Sequence, residues 1–324
     1  MSRDLRAALM LFLLAPLVGE FVLGNVPLSA IGALVVLAPM YGGGALLIRE
    51  LARRTGRGWP TMLVLGLAYG VLEAGLLDQS LFNPSFEEWQ FQAVTPVPAL
   101  GISALNGYSF VVGHAVWSIG VPIALVESFA FRRRTTPWLG RTGLIVLALV
   151  FAAGSAAVFW ILLRQEGFMA TPGQRIGAAG VVLVLVVIAF LLRPRPAVAR
   201  RVPRPGYLGF GAFVVSSVFV AVPEDWTGFG LKVALTVATA VVLSWWGRGE
   251  GWGAAHRYAV AAGALVTYTW LGWILVEKSA GPLIAHAVLV VLTWAYLFVV
   301  RQASLRDGSV GAGERGDGSL RDGS

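Results

Sequence analysis

Five ionisable side chains stand where the sequence is otherwise apolar: Glu20, Glu73, Asp78, His114 and His286. Carboxylates and imidazoles move protons, activate water and hold cations. In hydrocarbon such groups are costly and are functional candidates by default. At about 1.5 Å of rise per residue, Glu20 and His286 lie about 6 Å, Glu73 about 7 Å and His114 about 12 Å inside the nearer end of their own apolar stretch. Four groups on four segments therefore share one depth band. The expectation is one polar cavity in which each group offsets the desolvation of the others. The reading left open beside it is a set of separate polar groups, each bonded to a neighbouring helix. His256, the remaining histidine, falls in a polar loop and is read as ordinary.

A second set lies toward the other end of the same segments. Glu50 follows Arg49, and Glu127 precedes Arg132, Arg133 and Arg134 by about one turn. These read as ion pairs at the membrane interface. Glu127 is about 20 Å from His114 along a helix, too far to join the first set.

The elements that must position these groups are apolar stretches of spanning length, about 20 residues each. Ten are legible: 5–24, 28–48, 60–78, 106–131, 142–163, 176–192, 207–222, 229–246, 257–276 and 282–300. The pair 207–222 and 229–246 is short enough to be re-entrant instead. Of the 25 Lys and Arg residues, 21 fall in the N-terminus, every second loop and the tail. The exceptions are Arg164, Arg175, Lys232 and Lys278. Such asymmetry predicts an all-α polytopic transmembrane bundle with both termini cytoplasmic. The first stretch lacks a small-x-small cleavage site and reads as a retained span. Residues 1–300 form one helical domain on this reading, and the Gly/Ser-rich residues 301–324 a disordered cytoplasmic tail. That tail carries one hexamer twice, at 304–309 and 319–324, which reads as a slipped duplication.

Composition agrees with this class. The chain is 57% hydrophobic and 13% charged, against about 25% charged for soluble domains. The formal net charge of +8 is explained by arginines held on one side of a bilayer, so no nucleic-acid partner is expected. There is no cysteine, which removes disulfides, thiolate nucleophiles and thiolate metal sites. Only two basic residues are lysine, in a chain rich in Ala, Gly, Val and Arg. That bias points to a high-GC bacterium and its plasma membrane. The glycines at 247, 249, 251 and 253 lack the lysine and context of a phosphate loop and read as a flexible turn. No cofactor is implied. No His-Glu-x-x-His pattern occurs, although two histidines and a carboxylate leave a metal site open by ligand type. The long connection 79–105, with Phe82, Phe86, Trp89 and Phe91, reads as an interfacial segment or a cap over the bundle. Pro16, Pro39 and Pro122 are expected to kink their spans and shape a cavity.

Three segments resemble the CAAX-protease and bacteriocin-processing family of glutamic intramembrane endopeptidases: Glu73-Ala74-x-x-x-Asp78, Phe110-x-x-x-His114 and His286-x-x-x-Val290. The family pattern is Glu-Glu-x-x-x-Arg, Phe-x-x-x-His and His-x-x-x-Asn/Asp. Ala74, Asp78 and Val290 depart from it. The resemblance implies Glu73 as general base, with His114 and His286 orienting water or stabilising an oxyanion. Glu20, Asp78 and Phe110 would support them. Residues 41–84 also resemble a group of uncharacterised bacterial membrane proteins. Three functions stay open: an intramembrane protease or degenerate relative, a transporter or permease component handling protons or a polar substrate, and a non-catalytic scaffold. The implied partners are membrane lipids and a membrane-embedded peptide or small polar substrate.

Overall fold

Apolar length decides the elements. The structure, a computed structural model, describes residues 2–130 and 133–317. Among these, nine helices are long and apolar enough to cross a membrane, and a tenth has 17 residues. In chain order they are α1 (Arg3–Val22), α2 (Leu28–Arg54), α3 (Trp59–Leu77), α4 (Ala104–Phe129), α5 (Arg141–Glu166), α6 (Pro172–Leu191), α7 (Pro205–Ala221), α8 (Trp226–Trp246), α9 (Ala254–Leu275) and α10 (Ala280–Asp317).

Two ends differ from expectation. Helix α2 runs past residue 48 to Arg54, because Arg49 and Glu50 are fully buried among partners rather than lying in a loop. Helix α10 continues through 301–317, where composition favoured disorder. Extending a formed helix costs far less than starting one, so Ala303 and its successors follow the turn before them. The second copy of the hexamer, at 319–324, lies outside the described residues, as does Arg132.

Neighbouring residues fix each helix direction. Gly209 packs on Ala259, Ser216 bonds Thr267 at 2.6 Å, and Trp270 donates to Ser217 at 3.1 Å. These numbers rise together, so α7 and α9 run parallel. Helix α8 must then cross back between them, which makes α7 and α8 two crossings rather than a re-entrant pair. At 1.5 Å per residue α7 spans about 26 Å, close to the ~30 Å hydrocarbon core. The contacts of Gly66 with Ala115 and Gly70 with Val111 make α3 and α4 antiparallel, and those of Thr61 with Ala189 and Gly75 with Ala178 do the same for α3 and α6.

The two ends of the bundle differ in chemistry. Asp4 pairs with Arg133 at 3.2 Å, Arg57 donates to the Phe190 carbonyl, and Arg200 donates to the Trp245 carbonyl at 2.7 Å. The N-terminus and the arginine-bearing loops thus share one face. The glycine turn at 247–253 is pinned there rather than flexible: Val198 donates to the Arg248 carbonyl at 2.8 Å, and His256 spans from the Gly253 N–H to the Pro203 carbonyl. On the opposite face the connection 79–105 folds into a cap with a short antiparallel hairpin, Pro96–Val97 against Ile102–Ser103. Asn83 ties it to Glu166 at 3.0 Å, and Gln92 donates to the carbonyls of Phe82 and Gly101. Four residues of this cap that are not glycine have positive φ: Gln79, Glu87, Glu88 and Thr95.

Helix α4 is the hub. Buried residues make up 67% of its apolar window, against 11% in α6 and α8. One side of α4 packs through Ile119 and Ile123 into a core with Leu11, Met40 and Met62. The other side packs through Trp117 and Val121 against Phe21, Leu265 and Tyr268.

Candidate functional site

Four π-helical turns interrupt the described helices, one in each of α1 to α4: Leu17–Val22, Ala38–Gly42, Glu73–Leu77 and His114–Gly120. Such turns are rare and concentrate at functional sites. Proline explains most of them. A proline cannot donate the α-helical hydrogen bond, and Pro16, Pro39 and Pro122 stand just before, inside and just after three of the four turns. Each turn contributes one side chain to a common cluster: Glu20, Tyr41, Glu73 and His114.

These four side chains meet. The Tyr41 hydroxyl lies 2.5 Å from Glu20 Oε1, 3.0 Å from Glu73 Oε1 and 3.3 Å from His114 Nε2. His114 Nε2 lies 2.9 Å from Glu73 Oε2, and its Nδ1 lies 2.7 Å from the Phe110 carbonyl. Glycine permits the close approach. A Cβ at Gly70 would stand 2.8 Å from the Val111 carbonyl oxygen, and one at Gly44 would stand 2.6 Å from the Tyr69 ring. The rings of Tyr41, Tyr69 and His114 form a triangle with centroids 5.9–6.1 Å apart.

Hydrogen counting shows what this arrangement can do. A phenol has one hydrogen. Tyr41 can donate to Glu20 or to Glu73, not to both, so the other short oxygen–oxygen contact requires a proton on that carboxyl. A carbonyl only accepts, so His114 Nδ1 carries its hydrogen. Nε2 then either donates to Glu73 as imidazolium or accepts from a protonated Glu73. The 2.9 Å contact is close but poorly aligned, and Glu73 Oε2 makes no well-formed hydrogen bond. A small ring rotation would make or break it. Two carboxyls, a phenol and an imidazole thus stand close enough to exchange protons, in a mostly buried space. Glu73 and Tyr41 are buried, and the His114 side chain keeps 17% of its surface accessible.

Of the residues expected from sequence, Glu20, Glu73 and His114 come together. His286 does not join them. Its ring stacks edge-on against Trp273 at 5.0 Å and fills the space left by Gly272 in α9. It shares the depth of the cluster but faces a different neighbour. Asp78 ends α3 by accepting from the Ser80 N–H at 2.9 Å. Phe110 contributes its carbonyl to His114, while its ring packs edge-on against Phe91 of the cap at 5.2 Å. Among the described residues, no group of three or more His, Cys, Asp or Glu side chains could hold a metal ion. Sequence reasoning missed Tyr41, which bridges the other three, and Tyr69, whose buried hydroxyl has no hydrogen-bond partner.

The second polar set is a closed network. Arg49 is fully buried and donates to Glu50 at 2.7 Å, to Glu127 at 3.1 Å and to the carbonyls of Arg133, Arg134 and Thr136. Its guanidinium also stacks 3.3 Å from the centroid of the Trp138 ring. Glu50 accepts from the backbone N–H groups of Trp138 and Leu139. Among the described residues Glu127 pairs with Arg49 and Arg53 of α2, across the helix interface rather than along its own helix. Burial selects them, because side chains on the facing helix reach the carboxylate without leaving the core. This network staples the 133–139 loop to α2. It is a built structural element at the arginine-rich face.

The chain belongs to an uncharacterized membrane protein family, whose model matches residues 9–314. No curated protein and no solved structure matches it. The family match agrees with the resemblance to uncharacterised membrane proteins and lends no support to the protease resemblance.

Proposed function

We propose that this multi-pass membrane protein is a proton-handling carrier, and that Glu20, Tyr41, Glu73 and His114 are its proton-sharing site. The observation that carries the reading is the single Tyr41 hydroxyl set between two carboxyls and beside an imidazole. A structural polar cluster needs its hydrogen bonds filled. This one has fewer fixed hydrogens than contacts, which suits uptake and release. Four kinked helices meeting at a buried acid–base group also suit a carrier. The arginine-rich face is assigned to the cytoplasm of a bacterial cell, with both termini inside. Membrane lipids cover α5, α6 and α8, and the transported partner is a small polar solute. The hydrolytic reading keeps Glu73 and His114 as a water-activating pair, but His286 does not stand beside them.

Proton counting tests the proposal. Infrared difference spectra of the purified protein in nanodiscs, titrated with acid, are expected to contain a protonated-carboxyl band. That band should shift in D2O and change in Glu20→Gln and Glu73→Gln. Proteoliposomes bearing Glu73→Gln are expected to lose proton-driven solute uptake. Spectra with no protonated carboxyl at any pH, together with uptake unaffected by Glu73→Gln, would overturn it.

A further inference from the structure

Helix α8 is apolar, peripheral and 21 residues long, and its only buried residues are Gly228 and Lys232. The one side chain it buries in the bundle is therefore a lysine. Lys232 is 7% exposed and lies about 9 Å into the helix from its start at Trp226. Its ammonium donates to Ser109 Oγ on α4 at 2.8 Å and sits 4.6 Å from the centroid of the Phe219 ring on α7. Ser109 spends its own hydrogen on the Leu105 carbonyl at 2.6 Å. Among the described residues no ion pair joins Lys232 to a carboxylate; Glu224, just before α8, acts on it through space without forming one.

An ammonium has three hydrogens, and one partner uses one of them. A buried cation without a counter-ion is strongly disfavoured, and a protein retains one where an anion completes it. The residue type is informative as well. Twenty-three of the 25 basic residues are arginine, so a compact ammonium stands here in a chain that otherwise uses the planar fork. A point charge suits a carboxylate or phosphate approached from one side. The location adds a link to the proton cluster. Ser109 precedes His114 by five residues on α4, about 7.5 Å along the axis. Helix α8 buries so little that the seam it forms with α4 and α7 can admit a ligand from the side.

We infer that Lys232, positioned by Ser109, binds the carboxylate or phosphate group of an anionic ligand at the α4–α7–α8 seam. The inference rests on the carrier reading and names its substrate class: an anion whose charge is balanced by protons taken up at the Glu73–His114 cluster. The same oxyanion chemistry is offered by a free solute and by an anionic lipid headgroup.

Binding measurements separate these sources and stand apart from proton transport. In phosphatidylcholine nanodiscs, calorimetric titration with inorganic phosphate and with succinate reads the free anion. Native mass spectrometry after exchange into phosphatidylglycerol reads the lipid. Wild type is expected to bind in one arm, and the positive arm identifies the source. Lys232→Met is expected to weaken that binding by roughly 10- to 100-fold, and Lys232→Arg to recover part of it. Failure of the carrier reading shows in proton-driven uptake by Glu73→Gln proteoliposomes, and failure of this site shows in anion binding by Lys232→Met, so the two give different results. Should Lys232→Met not fold, Ser109→Ala carries the test, with an expected loss of roughly 3- to 10-fold. Wild type that binds in neither arm, or variants that bind as wild type in both, would overturn the inference.

Discussion

Two buried tyrosines with rings 6.0 Å apart are expected to respond oppositely to loss of the hydroxyl. In Tyr41→Phe the ring keeps its place beside Tyr69 and His114, so the packing cost is small. The hydroxyl, however, touches two carboxyl oxygens at 2.5 and 3.0 Å. A hydrogen bond to a charged group is worth about 1.5–3 kcal/mol, and the two contacts share one phenolic hydrogen, so about 2–4 kcal/mol of stability should be lost. Tyr69 is 4% exposed and its hydroxyl has no partner. Removing an unsatisfied buried hydroxyl should be neutral or stabilise by about 1–2 kcal/mol. The assay is denaturation of both variants in one detergent, followed by a double-mutant cycle of Tyr41→Phe with Glu20→Gln. Coupling of about 1–3 kcal/mol is expected for groups in direct contact. Coupling below about 0.5 kcal/mol, or a Tyr69→Phe loss as large as that of Tyr41→Phe, would refute the proton-sharing geometry.

Three further outcomes follow from the packing. Gly42→Ala would place a Cβ 1.9 Å from the Phe12 carbonyl oxygen, so it should destabilise by about 1–3 kcal/mol in thermal denaturation. Gly180→Ala meets nothing within 4 Å and should gain about 0.5–1 kcal/mol; equal effects at the two sites would contradict the helix contacts. Arg49→Met removes the buried ion pairs to Glu50 and Glu127 and the guanidinium hydrogen bonds to the Arg134 and Thr136 carbonyls, which should cost about 3–5 kcal/mol, while Arg49→Lys should rescue only part because one ammonium cannot serve so many acceptors. Burial, and secondarily the nearby Glu166 carboxylate, raise the Glu87 carboxyl above its usual range. A raised acid favours folding while protonated and loses that contribution as pH climbs through the raised value. Glu87→Gln should therefore raise the melting temperature at neutral pH and match wild type in acid; a constant difference across pH would exclude the titration.

The spans were legible because membrane crossing reduces to apolar length and the placement of arginine, both one-dimensional properties. What length could not convey was where partners lie. Helix α2 looked finished at residue 48 because Arg49, Glu50 and Arg53 read as loop. They are helical because carboxylate, carbonyl and N–H partners wait on residues 127–139, far along the chain. The pairing of Glu127 with Arg49 and Arg53 was hidden for the same reason. Sequence proximity is a poor guide where a facing helix supplies the nearest charge. The parallel course of α7 and α9 already followed from ten alternating spans; the pairings that hold it, such as Ser216 with Thr267, did not.

The site was half legible, and the missing half explains how it is built. Depth counting picked out Glu20, Glu73 and His114, which come together, and it picked out His286 too, because depth says nothing of the direction a side chain faces. Depth would not have found Tyr41. Measured from residue 28, a regular helix would bury it about 20 Å deep, outside the band of the other three. Helix α2 is not regular there: Leu28–Ala33 is a 3-10 stretch broken at Ala30, and Ala38–Gly42 is a π turn. Tyrosine also counts as apolar in a search for charges. The prolines at 16, 39 and 122 were the usable signal. Each was expected to bend its span, and each lies beside a π turn that carries a member of the cluster. In membrane helices, then, a proline marks where the regular ladder yields, and polar side chains a few residues away can be turned toward one another. The third turn, Glu73–Leu77, has no proline. Its winding accompanies the closure of the cap, where the Leu81 N–H reaches back to the Ala74 carbonyl at 2.9 Å. The cap and the cluster are joined through that helix end, so strain in the cap at Gln79 bears directly on the geometry of Glu73.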